Sequence, residues 1–215
     1  METVILDMDG TLLDLHFDRE VWNRLLPERL ATVLQSSVET AKREVEKRLN
    51  PVKGTLAWYS LDHWSEQLGI DVHALELELK HLIRPRPGAI EFLKALQSSA
   101  YRVVLATNAQ PSSMQRKLDI TGIEQYFDDI SCSHYFGNCK EDPAFWSAFI
   151  KELSIAPATA LLIDDNHTVL ETAQKFGITE VYGIRYPSTR GPAMTSVKFR
   201  CIDSFSELDL IQQAN

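Results

Sequence analysis

The sequence predicts an α/β fold: a Rossmann-like parallel sheet with helices on both faces, and a small helical unit inserted after the first strand. Two observations carry this. From about position 89 onward, apolar runs of strand length alternate with helical patterns, the arrangement that builds parallel sheets. Ahead of them lie roughly seventy residues of helical periodicity, and ahead of those a single apolar strand.

Val4-Ile5-Leu6 reads as a buried strand. At its end Asp7 and Asp9 stand two residues apart, so both side chains point to the same side of an extended backbone, and Gly10 lets the chain turn away. Helical spacing then joins Val21, Trp22, Leu25 and Leu26 to Leu30, Val33 and Leu34, with Pro27 expected to kink or divide the stretch. Val38, Ala41, Val45 and Leu49 mark a second helix. A third is expected from about Leu56 to Leu68, closed by Gly69, and a fourth from an Asp71 cap through Leu75, Leu79 and Leu82. Four helices with short links make a bundle over 15–84, inserted into a core made of 1–14 and 85–215. Arg84-Pro85-Arg86-Pro87-Gly88 reads as the hinge back to the core.

In the core, Ile90, Leu93 and Leu96 mark a helix, Tyr101 to Thr107 a strand, Met114 to Ile120 a helix closed by Gly122, and roughly Asp128 to Cys132 a strand. Asp142-Pro143 is a cap and first-turn pair for a helix through Trp146, Phe149 and Leu153. Ala160 to Ile163 follows as a strand, then a helix through Val169, Ala173 and Phe176 closed by Gly177, and a short strand from Val181 to Ile184. Positions 187–196 read as a surface loop.

Composition bounds the function. The 215 residues carry 22 basic and 30 acidic side chains, a net charge of −8, and no Lys/Arg block that would track a polyanion, which argues against a nucleic-acid polymer as partner. No apolar run approaches membrane-spanning length, and the strand begins too early to leave room for a signal peptide, so a cytoplasmic location is expected. Cys132, Cys139 and Cys201 are odd in number and lack zinc-site spacing, which fits reduced thiols.

The chemistry gathers at strand ends, where open α/β sheets bind ligands. Two carboxylates as close as Asp7 and Asp9 repel unless a cation lies between them or one holds a proton, and both conditions suit phosphoryl chemistry. Asp7 is the candidate nucleophile and Asp9 the acid and base. Thr107 and Asn108 precede a helix N-terminus, where free N–H groups favour an anion, although Asn108 could simply cap that helix. Asp164-Asp165 forms a second carboxylate pair, suited to a hard cation such as Mg²⁺, with capping again the plain alternative. Lys140 would supply positive charge, although a lone lysine is ordinarily solvated.

These four signatures, in this order and with a helical insertion after the first, resemble the phosphatases of the haloacid dehalogenase (HAD) superfamily along nearly the whole chain. The resemblance implies that Asp7 attacks phosphorus to form a phosphoaspartate while Asp9 protonates the leaving oxygen and later activates water. It implies that Thr107, the Asn108 backbone and Lys140 bind the phosphoryl oxygens, and that Mg²⁺ is held by Asp7, the Asp9 carbonyl and Asp165, with Asp164 reaching it through water. Glu141 departs from the pattern, since many relatives carry proline after the lysine. Leu12-Leu13-Asp14-Leu15, Phe17-Asp18 with Trp22, the run from Trp58 to Gly69, and Lys140-Glu141-Asp142 before Trp146 resemble the GMP/IMP nucleotidase branch, which implies a purine nucleoside monophosphate as the small phosphorylated substrate. Tyr59 and His63, one helical turn apart, are the candidate substrate contacts, whereas Trp58, Leu61, Trp64 and Leu68 read as a core stripe. The competing reading inside the superfamily is a sugar-phosphate or phosphoglycolate phosphatase. A non-enzymatic phosphoaspartate signalling module is disfavoured, because it has no use for Asp9 or for the insertion.

Overall fold

The computed structural model describes residues 1–196 and 198–208; position 197 and the last stretch of the expected core, 209–215, lie outside the described residues. Among the described residues, six parallel strands form one sheet in the order β3-β2-β1-β4-β5-β6: β1 (Thr3–Leu6), β2 (Arg102–Thr107), β3 (Asp129–Cys132), β4 (Ala160–Ile163), β5 (Glu180–Ile184) and β6 (Cys201–Ile202). The last of these was not anticipated. Its two residues are too short a run to show a period.

Alternation along the strands divides the core into two layers. Val4, Leu6, Val103, Leu105 and Ile163 face one side, where they pack with Phe92 and Leu93 of a helix at Ala89–Gln97 and with Met114 and Leu118 of another at Pro111–Thr121. Ile5, Val104, Ala106 and Leu162 face the other, against Phe145, Trp146 and Phe149 of a helix at Pro143–Leu153 and Val169, Leu170 and Ala173 of one at His167–Phe176. Strands covered on both faces need apolar residues at every position, which is why they read as continuous runs.

The segment between β1 and β2 is helical, as expected, but its divisions differ. The chain runs through α1 (His16–Glu20), a π-type turn at Val21–Leu25, and α2 (Leu26–Val33). Pro27 has no N–H to offer the carbonyl four residues back, and the wide turn sits just ahead of it. Next comes α3 (Val38–Leu49), capped by Ser37, whose hydroxyl accepts from the Thr40 N–H. The single helix expected over 56–68 is two elements: a 3₁₀ turn at Leu56–Tyr59 and α4 (Leu61–Leu68). Ser60 is extended and caps α4, so the chain changes direction there. Gly69 in the left-handed region ends α4, and the Asp71 carboxylate caps α5 (Val72–Leu79), both as expected. Leu61, Trp64 and Leu68 are buried as the stripe required, but Trp58 is not part of that core: it is half-buried and lines the cleft, because the turn at Ser60 separates it from α4.

The helical segment between β1 and β2 leaves and re-enters the rest of the chain at two adjacent crossings. The Asp14 N–H donates to the Arg84 carbonyl at 3.0 Å and the Arg86 N–H to the Leu12 carbonyl at 2.8 Å. Between them the buried Asp14 carboxylate accepts from Arg84 Nη2 at 2.9 Å, Thr189 Oγ1 at 2.5 Å and the His16 N–H at 3.0 Å. Burial works against this charge, but the bonds from Thr189 and Arg84 prevail and hold the carboxyl down at about 2. Thr189 lies in the loop expected to be merely superficial. That loop is irregular, yet Pro187 and Ser188 are buried and the Leu15 N–H donates to the Pro187 carbonyl at 3.0 Å, so it braces the hinge.

Candidate active site

The strand register creates the site. Leu6 pairs with Leu105 on one side and Ile163 on the other, so the residues just past β1, β2 and β4 emerge side by side. Asp7, Thr107, Asn108, Asp164 and Asp165 thereby line one cleft of about 1040 Å³, together with Asp9 and Lys140. The core helices that flank the sheet are α6 (Ala89–Gln97), α7 (Pro111–Thr121), α8 (Pro143–Leu153) and α9 (His167–Phe176).

Lys140 is 2 % exposed and central. Its Nζ lies 2.5 Å from Asp7 Oδ1 and 2.7 Å from Asp164 Oδ2, and donates to the Ala106 carbonyl at 2.9 Å. Burial alone would favour a neutral amine, but Asp164 and Asp7 outweigh it and raise the lysine above its ordinary range. Burial pushes the Asp7 carboxyl up to about 7 against the pull of Lys140, with Asp164 and Asp9 adding repulsion. Burial also raises Asp164 against the pull of Lys140, and burial with repulsion from Asp7 and Asp164 raises Asp165 well above the usual range.

The residues fit a divalent cation. Asp7, Asp164 and Asp165 each offer an oxygen, all within 4.8 Å of one another, and Asp7 Oδ2 is buried without a hydrogen-bond donor. Three carboxylates in so small a volume are the hard oxygen donors Mg²⁺ prefers. Gly10 admits this cluster. Its φ of +86° suits glycine, and a Cβ there would come within 2.4 Å of Asp165 Oδ2.

Asn108 does not cap α7, whose N-cap is Gln110. Instead its Oδ1 accepts the Lys140 N–H at 2.9 Å and its Nδ2 donates to Glu141 at 2.9 Å. The Thr107 hydroxyl accepts the Ala109 N–H at 3.0 Å, and Asp164 Oδ1 accepts that of Asn166 at 2.8 Å. Asp9 is drawn toward a partner the sequence reading missed: its Oδ1 lies 2.7 Å from Nζ of Lys117, which also stands 2.8 Å from Asp18 Oδ1. Lys117 on α7 is buried, 5.1 Å above the Phe17 ring. Nearby, buried Glu76 of α5 accepts from Ser113 Oγ at 2.8 Å and pairs with Arg116. A signal existed: Lys117 falls beside Leu118 and three residues after Met114, on the apolar face of its helix, and Glu76 interrupts the buried series Val72, Leu75 and Leu79.

The two candidate contacts from the insertion separate. Tyr59 lines the cleft and its hydroxyl donates to Glu141. His63 does not line the cleft; its ring packs edge-on against Trp64, with centroids 4.9 Å apart. The turn at Ser60 removes the shared helical face on which their pairing depended. Arg19, Trp22, Asn23 and Trp58 line the cleft from the insertion instead.

A family model described as haloacid dehalogenase-like hydrolase matches residues 1–177, and the chain belongs to that family. It is 38% identical over 189 residues to the GMP/IMP nucleotidase YrfG of Escherichia coli, covering 88% of this chain and 85% of that protein. It is 24% identical over 202 residues to a phosphorylated carbohydrates phosphatase of Thermotoga maritima, covering 90% of each. These relatives set it with the phosphoric monoester hydrolases of the family. A HAD phosphatase from Thermococcus onnurineus shares the fold, with a TM-score of 0.80 at 19% identity over 100% of this chain and 99% of its own.

Proposed function

We propose that this protein is a Mg²⁺-dependent phosphatase that hydrolyses purine nucleoside 5′-monophosphates, GMP and IMP foremost, through a phosphoaspartate at Asp7. The observation that carries the chemistry is the convergence of Asp7, Lys140 and the Asp164-Asp165 pair at adjoining strand ends. The substrate class rests on the 38% identity to a GMP/IMP nucleotidase.

Lys140, Thr107 and the backbone N–H groups after β2 would bind the phosphoryl oxygens. One Asp7 carboxylate oxygen attacks phosphorus, forming a P–O bond as the bond to the leaving oxygen breaks, and Asp9 gives that oxygen its proton. Water then attacks the phosphorus of the phosphoaspartate, yielding its proton to Asp9, and Asp7 departs as a carboxylate. Asp7, the Asp9 carbonyl, Asp165 and Asp164 would hold Mg²⁺, which would supply positive charge against the phosphoryl oxygens and let Asp7 stay ionised at neutral pH. Lys140 has a resting duty as well. It holds the mutually repelling carboxylates together.

We further propose that 15–84 acts as a cap over the core, 1–14 with 85–215, and that its cleft-lining side chains contact the nucleoside. Trp22 and Trp58 offer indole faces for a purine, and Tyr59 contributes at the edge. His63 is kept only as a support for Trp64. The partner is thus a small metabolite, with no nucleic-acid polymer and no membrane involved. No helix among the described residues is long and apolar enough to cross a membrane. The cytoplasm is proposed on a separate ground, the buried free thiols of Cys132, Cys139 and Cys201.

The test is a kcat/KM panel with Mg²⁺ over purine and pyrimidine monophosphates, hexose phosphates and phosphoglycolate. GMP and IMP are expected to lead. A hexose phosphate or phosphoglycolate in first place would remove the nucleotidase assignment and leave the phosphatase standing.

A further inference from the structure

The residues on either side of Lys140 both hold the insertion. Cys139 Sγ donates to the Gly54 carbonyl at 2.9 Å, and the Glu141 carboxylate accepts the Tyr59 hydroxyl. The stretch from 54 to 59 is therefore fastened to the very loop that presents the lysine. Glu141 does more than receive one bond. Its Oε1 also accepts Asn166 Nδ2 at 2.9 Å, and its Oε2 accepts Asn108 Nδ2 at 2.9 Å. Asn108 in turn receives the Lys140 N–H on its Oδ1 at 2.9 Å, closing a ring through both residues of the lysine loop. The Glu141 carbonyl accepts Thr172 Oγ1 of α9 at 3.1 Å, which anchors the backbone from behind.

An ionised carboxylate only accepts, and here three donors meet it, from the insertion, the β2 loop and the β4 loop. An amide or an apolar side chain at this position could not accept from all three. The tyrosine is held as a donor as well: burial, and after it the Glu141 charge, raise the phenol far above its ordinary range.

We propose that Glu141 is a positioning residue that links the seating of the insertion, through the Tyr59 hydroxyl, to the alignment of Lys140 and Asn108 beside Asp7. The inference rests on the phosphatase reading of Asp7 and Lys140, and it gives the Tyr59 hydroxyl a role in closure while the ring keeps its place at the edge of the cleft. Because the alignment acts on the phosphoryl group, the effect must be independent of what that group is attached to.

The experiment compares Tyr59→Phe, Glu141→Gln and the double variant in the full-length, Mg²⁺-loaded enzyme, with GMP and with p-nitrophenyl phosphate. Tyr59→Phe keeps the ring and removes only the hydroxyl, so folding is spared. It is expected to lower kcat by about tenfold on both substrates with KM changed less than about threefold, and the double variant is expected to be no slower than Glu141→Gln alone. Full kcat in Tyr59→Phe, or losses that multiply in the double variant, would overturn the inference while the phosphatase reading stands. A loss confined to KM for GMP would overturn it in favour of Tyr59 as a base contact. A wild-type enzyme that turns over neither ester nor any other phosphomonoester would overturn the phosphatase reading, and the inference with it.

Discussion

Asp7, Thr107 and Asp164 owe their placement to hydrogen-bond register between parallel strands, whereas Asp18, Trp22 and Tyr59 owe theirs to helices packing side chain against side chain. The first kind of placement tolerates little. A one-residue slip of β1 against β2 or β4 would turn Asp7 to the opposite face and empty the site. The second kind is adjustable, since a helix can shift along its partner with modest cost. Chemistry common to many substrates belongs on the rigid part, and discrimination among substrates belongs on the adjustable part.

The largest losses are expected from substitutions in the rigid half. Asp7→Asn should lower kcat by 10³-fold or more, roughly 4 kcal/mol of barrier, because an amide is too weak a nucleophile. Thermal stability should hold or rise, since burial already disfavours the Asp7 charge. A folded Asp7→Asn enzyme with substantial turnover would take the nucleophile away from Asp7. Lys140→Met should cost activity and stability together. Removing the cation leaves Asp7 and Asp164 buried and facing one another, a loss of about 3 kcal/mol or more. Urea unfolding of the variant measures it, and an unchanged midpoint would deny Lys140 its structural duty.

A smaller effect concerns the acidic cluster and pH. Between the unfolded value of 3.8 and about 7, folded Asp7 keeps a proton that the unfolded chain has released, so the native state binds more protons there. Stability of the cation-free protein should therefore fall as pH rises through that window, and level off above it. Mg²⁺ relieves the repulsion, so the rise in Tm it causes should be larger at about pH 8 than at about pH 5. Equal shifts at both would mean that the cation binds elsewhere.

The smallest effects should come from the adjustable half. Trp22→Ala is expected to raise KM for GMP by about tenfold while leaving p-nitrophenyl phosphate within about twofold, as loss of one stacking contact implies. Equal losses on both esters would move Trp22 out of base recognition.

The same division decides what could be read from sequence. The placement of the strand-end residues was legible because a short apolar run fixes where a strand stops, and the residues at and just beyond that point can be counted: Asp7, Thr107, Asn108 and Asp164 all stand where that counting puts them. The insertion was legible as helices but not as geometry. A single extended residue, Ser60, splits one expected helix and sends Tyr59 and His63 to different surroundings. No periodicity records such a break, because Trp58, Leu61, Trp64 and Leu68 keep helical spacing through it. Lys117 and Glu76 show the opposite failing: the anomaly of a charge on an apolar face was present, but its partners lie far away in sequence and only the fold joins them. Thr189 is the same case, a loop residue whose meaning comes from Asp14.

If Asp7 carries the phosphoryl group between substrate and water, as proposed, the phosphorylated enzyme can be caught during turnover. The enzyme would be mixed with GMP and Mg²⁺, quenched in acid during steady turnover, digested and weighed by mass spectrometry. The peptide bearing Asp7 should gain the mass of one phosphoryl group, with the label mapping to Asp7 and absent from Asp7→Asn. Steady hydrolysis with that peptide unmodified, or with the label on another residue, would contradict that role for Asp7.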